Sequence, residues 1–321
     1  MMDAKGEKRK RFMKVHVSNK ENLKSCGFLL ILHLMEEFNK EPNKAKLRSH
    51  FSEILHSIFF LGIIHEDSLT PEDILSEKTA KSIRNEFPEP FMKFNTHLPK
   101  RTPFSILLDI MQRKYGTKEK VMEELCSLME KLKFPVPIDR PANKYQHYYT
   151  LESTVICVCS NSQHTDEYFG ASLGCRGKKA KRIMINSSCL NTWHEYVSHA
   201  VMSFRHQEGD SLQFHESMQC QAYIRDLKIN TYKETRPCSN CNKLFSLPDC
   251  TEKEYNPYGN CAETECLSKL LFNDQFMREN ITIRSYKPEE INRLKASTKE
   301  SLLKELASIP SLSNMNDLLF F

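Results

Sequence analysis

No run of apolar residues in this sequence is long enough to cross a membrane. It carries one tryptophan and only nine glycines in 321 residues. Its greasiest stretches, Cys26–Met35 and Ser57–Ile64, fall well short of the roughly 20 apolar residues of a span. They read as buried helices, and a membrane partner is not expected. With so few glycines and 14 prolines, the chain is neither collagen-like nor low-complexity. The opening MMDAKGEKRKRFMK has no apolar core directly behind it, so no secretory signal is expected. A glycine-rich loop closed by Lys-Ser/Thr, which would cradle phosphates, is also missing. Neither sign of charge dominates: 46 basic and 41 acidic residues leave a net +5, a balance that permits nucleic acid without demanding it.

Cysteine, by contrast, is abundant. There are twelve, and all but Cys26 and Cys126 lie after residue 150. In a chain expected to stay inside the cell, in cytoplasm or nucleus, thiols remain reduced, and clustered ones more often bind metal than pair with one another.

The texture divides the chain. Residues 1–20 read as a basic, solvated terminus in which Lys8-Arg9-Lys10-Arg11 could serve nuclear import or phosphate contact. Residues 21–134 show helical spacing, with Thr70-Pro71-Glu72-Asp73 as a helix start and Phe87-Pro88 as a stop. Pro135, Pro137 and Pro141 mark residues 135–150 as a linker. Residues 151–321 mix short β-branched stretches with helical ones. Ser153–Cys159 and Lys181–Ser188 read as a strand hairpin, and Phe214–Leu227 as a helix. Ile281–Tyr286 reads as a late strand, and Pro288–Leu306 as a terminal helix. The expected class is α+β overall, an all-helical N-terminal domain followed by an α/β sandwich.

Cys238-Ser239-Asn240-Cys241 is the strongest local signal, since a Cys-x-x-Cys turn offers two thiolates to one zinc ion. Two completions are open. His215, followed by Glu216, precedes the pair by 23 residues; Cys261-Ala262-Glu263 follows it. A closed site of Cys238, Cys241, Cys250 and Cys261 is a third arrangement, structural instead of catalytic. Other near-motifs are set aside. His194 and His199 stand five apart, where a metalloprotease helix needs four. Gly170–Gly174 reads as a turn and not a nucleophile elbow. Cys157-Val158-Cys159 is discounted on the expectation that strand alternation parts its sulfurs.

With Pro237 before the pair, Pro237-Cys238-Ser239-Asn240-Cys241 resembles the second half of the signature of the zinc-dependent cytidine deaminase superfamily, which includes the AID/APOBEC-like proteins. The first half of that signature is His-or-Cys, any residue, Glu. The resemblance covers about residues 150–275. It implies a deaminase-like sandwich, a zinc ion, a general acid–base glutamate, Glu263 or Glu216, and a nucleobase substrate, free or in nucleic acid. Two departures stand. Glu216 follows His215 directly, and Cys261-Ala262-Glu263 has the right internal spacing but comes after Pro-Cys-x-x-Cys. An active hydrolase, an inactive relative and a non-enzymatic zinc-stabilised binding module all stay open. Tyr223, Phe245 and Tyr258 are candidates for stacking on a base.

Overall fold

The computed structural model describes residues 20–65, 68–132, 151–206, 209–226, 229–251, 256–284, 286–313, 315 and 317–321, and the backbone of 134–135 and 147–148. The basic cluster Lys8–Arg11 and most of the proline-rich stretch lie outside the described residues. The first half is helical: α1 (Lys20–Lys40), α2 (Lys44–Ile63), α3 (Pro71–Ile74), α4 (Glu77–Glu86), α5 (Pro88–Lys93), α6 (Pro103–Tyr115) and α7 (Lys118–Lys131). Local chemistry sets the starts. Thr70 caps α3 in a reciprocal box with Asp73, and prolines occupy the first turns of α3, α5 and α6, where their missing N–H costs nothing.

Two short strands, β1 (Phe134–Pro135) and β2 (His147–Tyr148), pair across the next segment. The second half then reads β3 (Val155–Asn161), β4 (Glu167–Ala171), α8 (Lys178–Asn191), α9 (Glu195–Arg205), β5 (Leu212–Gln213), β6 (Met218–Asp226) and β7 (Thr231–Thr235). It ends with α10 (Ser239–Phe245), α11 (Ala262–Asn273), α12 (Gln275–Glu279), β8 (Thr282–Ile283) and α13 (Pro288–Ala307). The class is α+β. An antiparallel sheet of order β4-β3-β6-β7 is the centre of this half, with a small β5–β8 pair beside it.

That sheet is a middle layer. In register, Val158 faces Phe169 and Ile156 faces Tyr223. These residues share one buried cluster with the N-terminal helices. On the opposite face Cys157 stands across from Gly170 and Ala222, and Cys159 across from Cys220. There they pack with α9, α10 and α11. The side-chain period of two sends alternate residues of β3 into two different cores.

Two segments differ from the sequence reading. Lys181–Ser188 belongs to helix α8, whose Ile183 and Met184 enter one core while Ile185 and Cys189 enter the other. A helix buried on two sides loses the one-faced periodicity that marks a surface helix. The hairpin therefore closes between β3 and β4. Residues 218–226 form strand β6 and not a helix, because backbone pairing with β3 and β7 overrides a sequence of low strand propensity.

Helix α11 is fixed from three directions. Its backbone lies on β4 at Gly170, where a Cβ would come within 2.8 Å of Cys266 Cβ and closer still to the Ala262 carbonyl and Cys266 nitrogen. Lys269 donates to Asp109 Oδ1 of α6 (2.5 Å), to Glu265 (2.9 Å) and to the Phe169 carbonyl (2.8 Å). Arg101 joins Asp109 to Glu53 of α2 (2.8 Å). Glu265 accepts from Ala171 N at 3.1 Å and from the Ser105 hydroxyl. Burial of these charges is offset by a full set of partners.

Candidate metal centre

Three cysteines converge where α10 and α11 begin. Cys238 is the N-cap residue of α10 and Cys261 that of α11, while Cys241 is buried one turn into α10. Cys238 Sγ lies 3.6 Å from Cys241 Sγ and 3.4 Å from Cys261 Sγ, and all three ligand atoms lie within 4.8 Å of one another. The loops hold them there. Thr251 N donates to the Pro237 carbonyl (2.9 Å), and Cys238 bridges to Thr251. Before Cys261, a turn brings Asn260 N to the Pro257 carbonyl (3.1 Å), with Gly259 at φ +87°. In that left-handed conformation a side chain would be strained. It would also press on Ile185, Trp193 and Val201. Leu173 N then donates to the Asn260 carbonyl (3.0 Å), tying this turn to the end of β4.

The donor set suits a thiophilic cation. Hydrogen bonds from Cys241 and Cys261 hold the Cys238 thiol far below its ordinary value. The same contact with Cys238 pushes the Cys241 and Cys261 thiols up. A divalent ion between the three sulfurs would let all of them ionise. Sulfur separations of 3.4 and 3.6 Å are close to the edge of about 3.8 Å in a tetrahedron with metal–sulfur bonds of about 2.3 Å.

Glu263, two residues beyond Cys261, is 4 % exposed. Burial pushes its carboxyl up to about 8, with the neighbouring Cys220 adding to the rise. It is therefore a carboxyl beside the three sulfurs and outside the metal-ligand cluster. Around them, Ser239 Oγ, Asn240 Oδ1, Asn260 Oδ1 and Thr264 Oγ1 are buried with no hydrogen-bond partner. Buried polar atoms are normally paired, so an unfilled polar shell coincides with the cysteine motif. A crevice of about 10 Å³, with room for about one water, runs along Cys261, Trp193 and Gly259. Larger cavities sit elsewhere, among them one of about 590 Å³ at the start of α8 and one of about 660 Å³ in the helical half.

His215 and Glu216 are not at this cluster. His215 Nδ1 bonds the Ser217 hydroxyl (2.9 Å) and its ring meets Phe276 edge-on, while Glu216 is exposed. Cys250 is half-buried and outside the cluster. Of the aromatic candidates, Tyr223 lies on the sheet face turned to the helical half, Phe245 is core, and Tyr258 packs on Phe204 at 5.2 Å. Trp193, which lines the crevice, carried no motif signal. His199 is buried with Nε2 3.2 Å from Asp210, and Glu290 completes that group.

Comparison with family models, curated proteins and solved structures returns no match for this chain.

One sequence expectation is overturned here. Cys157 and Cys159 share a face of β3 and their sulfurs lie 3.7 Å apart. Residues two apart on a strand point the same way; it is Val158 that points to the other core.

Proposed function

We propose that Cys238, Cys241 and Cys261 bind one zinc ion with an open fourth position. In this reading Glu263 is the proton-transfer group of a hydrolytic centre that deaminates a nucleobase, free or in nucleic acid. The observation that carries it is the convergence of Cys261-Ala262-Glu263 with Cys238-x-x-Cys241, motifs read in the reverse of the superfamily's order. A permuted chain order leaves the chemistry intact when the helix starts meet in space. Three protein ligands are the usual complement of a catalytic zinc site.

A zinc ion held by Cys238, Cys241 and Cys261 would supply Lewis acidity, lowering the pKa of water towards neutrality. The protein's own groups do the rest. Glu263 holds the proton that water releases and passes it to the exocyclic nitrogen, which leaves as ammonia while oxygen takes its place on the ring. The buried setting of Glu263 keeps bulk water from competing for that proton.

The test is metal content by mass spectrometry, followed by ammonia release from cytosine and adenine nucleosides and from single-stranded nucleic acid. Cys238→Ala, Cys241→Ala and Cys261→Ala are each expected to lose the zinc ion of this site. His215→Ala and Glu263→Gln are expected to keep it, with Glu263→Gln inactive. A wild-type protein without zinc, or loss of zinc on Cys250→Ala, overturns the open-site reading.

A further inference from the structure

A second set of thiols lies on the sheet beneath α11. Cys157 and Cys159 project from one face of β3, Cys220 stands directly opposite Cys159 on β6, and Cys266 descends from α11. Cys220 Sγ is 3.4 Å from Cys157 Sγ and 3.3 Å from Cys159 Sγ. Cys266 closes from the helix side, its sulfur within 4.8 Å of both β3 sulfurs. All four are free thiols, and Cys157, Cys159 and Cys266 are at most 1 % exposed. We propose that Cys157, Cys159, Cys220 and Cys266 form a second, closed metal site that holds zinc with four sulfur ligands and no position for water.

Packing alone explains this arrangement poorly. Small apolar side chains fill such a floor equally well, yet the Cys157 and Cys159 sulfurs have Cys220 on one side and Cys266 on the other, drawn from two strands and a helix. Contacts of 3.3–3.7 Å among Cys157, Cys159 and Cys220 approach the edge of about 3.8 Å expected for tetrahedral zinc–sulfur geometry. Soft thiolates select zinc over hard cations. Binding releases the four thiol protons, so the ion replaces weak S–H contacts with four metal–sulfur bonds.

The site has a structural consequence. Cys261 and Cys266 stand on one helix, five residues apart and so about 140° from each other around its axis. The first faces Cys238 and the second faces the sheet. A metal at the four-thiol site would staple β3, β6 and α11 together. It would thereby fix where the start of α11 presents Cys261 and Glu263.

The experiment is zinc stoichiometry of the full chain, purified under reducing conditions, combined with sulfur coordination from zinc X-ray absorption. The wild type is expected to hold two zinc ions per chain, with mean coordination between three and four sulfurs. Cys157→Ala/Cys220→Ala is expected to lose one ion and keep the one bound by Cys238. Cys238→Ala/Cys241→Ala is expected to keep one ion, now with four sulfurs. That last sample tests the site even where the first double variant fails to fold, and it separates this site from the proposed catalytic one. The inference is overturned if Cys238→Ala/Cys241→Ala leaves no zinc, if the ion it retains has fewer than four sulfurs, or if alkylation and mass mapping reveal a Cys159–Cys220 disulfide.

Discussion

Replacing Gly170 by alanine is the sharpest probe of how the helical start of α11 is held. The added methyl would sit 2.8 Å from Cys266 Cβ and nearer still to two backbone atoms of α11, whereas ordinary van der Waals contact begins near 3.4 Å. Neither backbone atom can rotate away, so helix and strand must part by roughly 1 Å. Overpacking of a dense core costs about 1–3 kcal/mol, and the nearest opposed atoms here are main chain, the Ala262 carbonyl oxygen and the Cys266 nitrogen, which puts the cost at the upper end. For a chain of this size that lowers Tm by several degrees, roughly 2–4 °C for each kcal/mol. The larger effect falls on the metal centre. Coordination distances tolerate about 0.2 Å, and Cys261, Glu263 and Cys266 all ride on α11. Gly170→Ala is therefore expected to bind zinc at least tenfold more weakly, as read by chelator competition. Gly116→Ala is the control: its positive φ strains the new side chain and lowers Tm, but nothing lies within 4 Å of the added methyl, so zinc affinity should be unchanged. A Gly170→Ala protein with wild-type Tm and zinc affinity would refute the close approach of α11 to β4.

Other outcomes follow from the same contacts. His56 is fully buried, and desolvation pulls its imidazole down to about 3. It is neutral in the fold and protonated more readily when unfolded, so its contribution is present above pH ~6.5 and fades as pH falls towards 3, by up to about 5 kcal/mol. His56→Gln should flatten that acid limb in urea titrations at a series of pH values; an unchanged limb would assign it elsewhere. Asp109→Asn leaves the half-buried Arg101 and Lys269 with one carboxylate fewer, and is expected to cost up to about 3 kcal/mol by denaturant unfolding. A loss below about 1 kcal/mol would mean that Glu53 and Glu265 alone satisfy both cations. Ser76→Ala removes the hydroxyl that accepts from Thr79 N at the start of α4, with an expected loss of about 1 kcal/mol, measured by the same unfolding.

Much of the helical half was legible in the sequence because its signals are local. Thr70 with Asp73, the Phe87-Pro88 stop that ends α4, and the one-sided spacing of α7 each act within a few residues. The Cys-x-x-Cys turn and the Cys261-Ala262-Glu263 triplet were visible for the same reason. Hydrophobic periodicity failed where burial is two-sided, as in α8, and where partner strands impose the backbone, as in β6. What the chain by itself determined was the supply of chemistry: thiols concentrated after residue 150, and a carboxylate two residues from one of them. Only the tertiary structure decided which of them meet. Cys261 reaches Cys238 across 23 residues because the Gly259 turn is pinned to β4. His215, equally well placed in sequence, bonds Ser217 instead. Ligand sets are completed by contacts distant in the chain, and no local spacing rule specifies those.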